Sequence, residues 1–143
     1  LRPVLDALVL MRKEGVWIEV TNLLIPTLND DLAMIRRMAS WVRDELGTGT
    51  PLHFSRFHPQ YRMRNLPPTP AASLDRARRE AMDTGLDYVY VGNVLGHEGS
   101  STYCPVDGTL LIGRTGFWIT ENNLTAEGRC PTCNEPVPGV WNE

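Results

Sequence analysis

Three cysteines and one aspartate near the C-terminus carry the densest chemistry in the sequence. Cys130 and Cys133 form a C-P-T-C turn followed by Asn134. Cys104 opens a related stretch, C-P-V-D-G, in which Asp107 stands where the second thiol would be. A C-P-x-C turn brings two thiolates onto one metal and aims backbone N–H groups at them, and a structural zinc usually takes four ligands from two such turns. A carboxylate oxygen is an acceptable, less common fourth ligand. Three readings stay open: Cys104, Asp107, Cys130 and Cys133 hold zinc; His97 or a water replaces Asp107; or the site has decayed and its cysteines are merely buried. With only 3 cysteines in the chain, an Fe–S cluster would need another thiolate. The odd count also argues against a disulfide scaffold, and with no export signal it points to a reducing, cytoplasmic setting.

A second set of polar residues falls inside and just after apolar strands. Glu19 and Thr21 lie on one face of a strand, His53 and Ser55 on one face of the next, with Arg56 on the opposite face. Buried charge costs several kcal/mol unless paired. These side chains therefore pair with each other in an interior or meet a polar ligand, and Arg56 suits a carboxylate in forked geometry. Asn29, Asp30, His58, Tyr61, Asn93, His97 and Glu98 follow strand ends, where functional groups of parallel βα folds gather. The plain alternative for each is turn chemistry or helix capping, most of all for Asp30. No G-x-S-x-G, P-loop or G-x-G-x-x-G is present.

The elements that must position these groups follow from periodicity. Val4, Leu5, Leu8 and Met11 sit at helical spacing before Gly15. The run V-W-I-E-V-T-N-L-L-I reads as a buried parallel strand. Asp30 or Asp31 caps a helix whose stripe is Leu32, Ile35, Met38, Ala39 and Val42, ended by Gly47. L-H-F-S-R-F is a second strand, and a long proline-rich loop follows it. Ser73 caps a third helix, Leu74 to Thr84, ended by Gly85, and D-Y-V-Y-V-G is a third strand. Strands recur roughly every 35 residues, the length of a βαβ unit. The expected class is α/β: a parallel sheet over residues 1–95, then a small appendage over 96–143 with short β pieces T-L-L-I-G and G-F-W-I-T.

At 143 residues and 42% apolar content the chain supports an ordinary core. A net charge of -3 gives no electrostatic reason to bind nucleic acid or an acidic membrane. No apolar run approaches the ~20 residues of a membrane span. The chain starts at Leu1 rather than Met, inside the expected first helix, and its first strand would be an uncovered edge. We expect it to be the last part of a larger barrel.

The stretches G-V-W-I-E-V-T-N-L-L-I-P-T-L-N-D-D, P-L-H-F-S-R-F-H-P-Q-Y-R-M-R-N-L-P-P-T-P, Y-V-Y-V-G-N-V and the two knuckles, in order and spacing, resemble the C-terminal portion of radical S-adenosylmethionine (radical SAM) enzymes. The closest group is the pyruvate formate-lyase activating enzyme-like branch, in the subgroup called the AmmeMemoRadiSam-system radical SAM protein. The resemblance implies the last three βα units of a partial (βα)6 TIM-like barrel with a zinc-ribbon-like tail. It implies an oxidoreductase of activating or modifying type that uses S-adenosylmethionine and a [4Fe–4S] cluster. The cluster's C-x-x-x-C-x-x-C loop is absent here, so this chain alone is expected to be inactive and to need the N-terminal half of the same barrel as partner. A protein substrate is a further implied partner. By the same resemblance His58, after the second strand, and Asn29 are cofactor-binding residues. Arg56 and Glu19, as charged groups on the strands, are the expected substrate-binding residues. The alternative is a non-catalytic βα scaffold whose zinc knuckle serves protein interaction.

Overall fold

The computed structural model describes residues 1–141. Helix α1 (Arg2–Lys13) leads to strand β1 (Val20–Leu24), helix α2 (Leu32–Leu46), strand β2 (Leu52–Arg56), helix α3 (Ala71–Asp83) and strand β3 (Val89–Gly92). The three strands form a parallel sheet in the order β1-β2-β3, with Val20 opposite Leu52 and Leu52 opposite Val89. The α/β architecture with a parallel sheet is therefore as the periodicity predicts.

Register divides the side chains between two faces. Leu24, Leu52, Phe54, Val89 and Val91 point to the helices, where they meet Ile35, Ala39, Val42 and Leu46 of α2 and Leu74, Ala77 and Ala81 of α3 in one buried core. Thr21, His53 and Tyr90 align as cross-strand neighbours on the other face. Among the described residues only one face of this sheet carries helices. The first strand differs from expectation accordingly. It begins at Val20, four residues later than its apolar run, and alternates between half-buried and exposed positions before Leu24. Its outer edge has no strand partner among the described residues. Beside it lies an apolar groove of about 500 Å³ whose walls include Leu5, Leu8, Val20, Met38 and Trp41.

Helix boundaries follow local chemistry. The Asp31 carboxylate accepts from Met34 N at 3.0 Å and caps α2, and Gly47 leaves the helix at φ 104. The third helix starts earlier than its expected Ser73 cap: Pro70 is the N-cap residue and Ser73 is buried inside the first turn. The Ser73 hydroxyl accepts from Arg76 instead. Pro70 brings a fixed extended φ to that position without a capping side chain.

The long loop after β2 is held by a residue with no obvious sequence signal. Thr69 is fully buried; its hydroxyl donates to Leu24 O and accepts from Phe57 N, and its carbonyl accepts from Arg56 Nε at 2.9 Å. One side chain thus joins the carboxyl ends of β1 and β2 to the loop that crosses them.

Beyond β3, strands β4 (Thr102–Tyr103), β5 (Leu110–Thr115) and β6 (Trp118–Asn122) make a small antiparallel sheet. The sequence shows β5 and β6 but not the two-residue β4. A second core gathers Cys104, Leu111, Ile112, Cys130 and Val137 around Tyr88, with Tyr90 packed against it. Packing therefore continues across residue 95 rather than stopping there. None of the described helices is long and apolar enough to cross a membrane.

Candidate metal centre

The two knuckles are the same backbone built twice. Gly108 N donates to Cys104 O and Asn134 N donates to Cys130 O, each at 3.0 Å. Cys104 N donates to Thr109 O at 2.8 Å, and Cys130 N donates to Glu135 O at 2.9 Å. Gly108 and Asn134 both take left-handed backbone, at φ 74 and φ 64, a conformation that glycine and asparagine tolerate best. C-P-V-D-G-T and C-P-T-C-N-E thus superimpose in role, and Asp107 occupies the position of Cys133.

The four side chains converge. One ligand atom from each of Cys104, Asp107, Cys130 and Cys133 lies within 4.8 Å of every other. The Cys104 and Cys133 sulfurs are 3.5 Å apart, and the Cys130 sulfur is 3.6 Å from Asp107 Oδ2. Cys104 and Cys130 are buried while Asp107 and Cys133 face outward. All three cysteines are free thiols. Such a set can hold a metal ion.

Electrostatics in the cluster favour a cation. The Thr109 N–H, at 2.9 Å from Asp107 Oδ1, is the main cause that holds the Asp107 carboxyl well below its ordinary range, with its Cys104 and Cys133 neighbours helping. Burial opposes ionisation of Cys130, but the Cys133 and Thr132 N–H groups aimed at its sulfur outweigh it and pull that thiol down. At Cys133 the Glu135 N–H favours the thiolate, yet burial and the adjacent Cys104, Asp107 and Cys130 dominate and push it up to about 12. The crowding of acidic groups therefore works against ionisation of Cys133. A bound cation would remove that conflict.

His97 does not join the cluster. Its Nε2 lies 2.9 Å from Asp75 Oδ1 and its Nδ1 accepts from Gly99 N at 2.9 Å, so both ring nitrogens are engaged elsewhere. The reading in which His97 replaces Asp107 is thereby corrected. Thr109, whose hydroxyl also meets that of Thr132 at 3.1 Å, was missed as a supporting residue. Aligning the two six-residue knuckles on each other would have exposed it.

The strand-end residues separate into distinct places. Asn29 Oδ1 accepts from Ile25 N at 2.7 Å and its Nδ2 donates to Leu23 O at 3.0 Å, so both polar ends are committed to its own loop. Asp30 accepts from Thr27 N at 2.8 Å, a turn role rather than a helix cap. His58 is exposed on the rim directly after β2. Tyr61 is exposed, with Arg62 stacked over its ring, and Glu98 is exposed. Asn93 takes left-handed backbone at φ 61. Arg56 lies on the helix-covered face, tied to Thr69 O, and is not brought to Glu19.

Glu19 instead pairs with His53 at 2.9 Å and accepts from Trp17 Nε1 at 3.1 Å. His53 stacks on Tyr90 with ring centroids 4.8 Å apart. The Tyr90 hydroxyl meets Thr102 Oγ1 at 3.0 Å, and Arg114 donates to the same Thr102 oxygen at 2.7 Å. This row lies at the amino ends of the strands, opposite the rim that bears His58. Glu19 and His53 thus pair with each other, but at a half-exposed place rather than in a buried interior, and without Arg56.

No family model matches the sequence. The chain is 51% identical over 138 residues to the uncharacterized protein MJ0808 of Methanocaldococcus jannaschii, an alignment that covers 96% of this chain and 41% of the relative. The chain therefore spans about 41% of the length of the curated relative it matches.

Proposed function

We propose that this chain is the C-terminal part of a radical SAM protein of the pyruvate formate-lyase activating enzyme-like kind, carrying a structural zinc knuckle. The observation that carries the reading is the one-sided parallel sheet: helices on one face, the polar row Thr21, His53 and Tyr90 on the other, and a free β1 edge beside an apolar groove. A partial (βα) barrel fits that arrangement, since its inner face turns away from the helices and its earlier strands would lie beside β1. The greater length of the relative leaves room for the preceding strands.

In this reading the [4Fe–4S] ligands lie outside the chain, because all three of its cysteines belong to the knuckles. When bound, the cluster and S-adenosylmethionine would supply a 5′-deoxyadenosyl radical. The chain's own contribution is the wall and rim, with His58 free to meet the cofactor and Asn29 shaping the preceding loop. The test uses the intact longer protein, reconstituted with iron and sulfide without oxygen. It should bind one reducible cluster and cleave S-adenosylmethionine to 5′-deoxyadenosine. Failure to assemble a cluster, or an assembled cluster with no cleavage, overturns the reading.

Zinc is the metal that three thiolates and one carboxylate suit best. With Zn–S near 2.3 Å and Zn–O near 2.1 Å, a tetrahedron has S–S edges of about 3.8 Å and S–O edges of about 3.6 Å. The separations of 3.5 Å and 3.6 Å fall close to those lengths. One equivalent of zinc in the purified protein is the expected result, and less than about half an equivalent refutes it.

A second reading keeps the zinc knuckle but assigns it to protein interaction without catalysis. Phe117, Trp118 and Ile119 on the β5–β6 hairpin are exposed at 99%, 80% and 64%, which favours a docking role for that hairpin. Absence of any cluster in the intact protein, with zinc retained, selects this second reading.

A further inference from the structure

A cleft of about 560 Å³ lies between the helix-free face of the parallel sheet and the knuckle lobe. Its size falls in the range of small-molecule sites, which are mostly apolar with a few convergent polar groups. Trp17, Tyr90, Phe117 and Trp141 supply aromatic walls, and His53 and Arg114 supply the polar groups. The walls are not sealed by the fold itself: Trp17 is 39% exposed, Trp141 38% and Phe117 99%.

The charges in the cleft are unequal in their satisfaction. Glu19 is served by two donors, Trp17 Nε1 and His53 Nε2. Arg114 is not matched in this way. Its guanidinium is 5.9 Å from the Tyr90 ring centroid and, among the described residues, donates to the neutral Thr102 hydroxyl alone. Among the described residues no carboxylate lies within ion-pair distance of it. A guanidinium has five N–H donors in a planar fork that matches a carboxylate, so most of its capacity is open toward the cleft.

We propose that this cleft binds a small aromatic carboxylate, its anionic end on Arg114 and its ring among Trp17, Phe117 and Trp141. Tyr90 and His53, already stacked on each other, form the floor. The site stands at the amino ends of the strands, away from the rim that bears His58. It shares His53 and Tyr90 with the inner face on which the radical SAM reading rests, but the acid-to-amide comparison needs no cluster and no S-adenosylmethionine, so its failure and the failure of that reading are told apart.

The probe is 2-naphthoate, with the neutral isostere 2-naphthamide as control, titrated by calorimetry into the zinc-loaded protein. Naphthoate should saturate and bind at least about tenfold more tightly than the amide, the difference expected for one charge-assisted contact. Arg114→Met should weaken naphthoate about tenfold or more and leave the amide unchanged. Phe117→Ala, at a side chain the fold does not bury, should weaken both probes by roughly threefold through lost ring contact. Equal affinity for acid and amide, or no saturation up to the order of 10 mM, overturns the proposal. Should Arg114→Met fail to fold, the acid-to-amide ratio in the unaltered protein and the Phe117→Ala result still decide it.

Discussion

Replacing Asp107 tests whether the first knuckle is a working half of a metal site. The carboxylate sits at the position of a second thiolate, with Oδ2 at 3.6 Å from the Cys130 sulfur, while its other oxygen accepts from Thr109 N. Losing a group that only hydrogen-bonds a metal ligand costs about 10- to 100-fold in affinity. Losing the ligand itself should cost at least the upper figure, so Asp107→Ala should weaken zinc binding by about 100-fold or more. Asp107→Asn keeps the shape and the Thr109 contact but removes the charge, and should behave nearly as badly. Asp107→Cys should tighten binding by at least about tenfold, because the mirrored backbone at Gly108 and Asn134 already presents this position as it presents Cys133. Competition for zinc against a chromophoric chelator at fixed pH measures all four proteins. Cobalt substitution adds a check, since the thiolate-to-metal absorption should rise in Asp107→Cys. If Asp107→Ala binds zinc as tightly as the unaltered protein, the carboxylate is only a turn cap for Thr109 and the four-donor centre is wrong.

Three further outcomes follow from the rest of the molecule. Thr69→Val leaves Leu24 O and Phe57 N without their buried hydroxyl partner, and should lower denaturant stability by about 2–3 kcal/mol; a change under about 0.5 kcal/mol would show that water replaces the hydroxyl. Burial, then the nearby Asp87, raises the Tyr88 phenol above its ordinary value near 10, and burial raises Tyr90 as well. The neutral phenols are favoured in the folded state, so that stability is fully present below about pH 10 and is lost as pH climbs toward the raised values. Tyr88→Phe should flatten the alkaline fall of the unfolding midpoint, and an unchanged slope would remove Tyr88 as its source. Glu19→Gln breaks a half-exposed pair with His53 and should change stability by less than about 1 kcal/mol, read from the same denaturation curves.

Periodicity was enough for the parallel class and for the existence of the helices, because α2 and α3 each bury one stripe against one sheet face, although α1 buries none of its residues. It misjudged β1. An unbroken apolar run looks the same whether both faces are covered by this chain or by something beside it, and here, among the described residues, β1 has no strand on its outer edge and alternates with exposed positions. The knuckle ligands were legible because metal chemistry demands fixed spacing, and the structure brings all four together. His97 was not separable from them by spacing alone; its contacts with Asp75 and Gly99 exist only in the fold. Thr69 and Arg114 were invisible for the same reason. A threonine among prolines and an arginine in a short strand acquire meaning only from the carbonyls, rings and hydroxyls that reach them from distant segments.

The shared second core makes the knuckle lobe more than an appendage. Cys104 and Cys130 pack in one cluster with Tyr88, which directly precedes β3, and Tyr90 joins that cluster while stacking on His53 of β2. Metal binding in a lobe with little core of its own is a folding event, and here its loss would withdraw the surface that Tyr88 and Tyr90 are buried against. Chelation should therefore loosen more than residues 104–137. Amide exchange should accelerate at residues 88–90 as well, while the core between α2 and β2, built on Ile35, Val42 and Phe54 without any knuckle residue, should keep its protection. Uniform loss of protection would mean that the two cores unfold as one unit. Loss confined to the knuckle lobe would mean that Tyr88 does not transmit the effect, and that the cleft wall it supports stands without the metal.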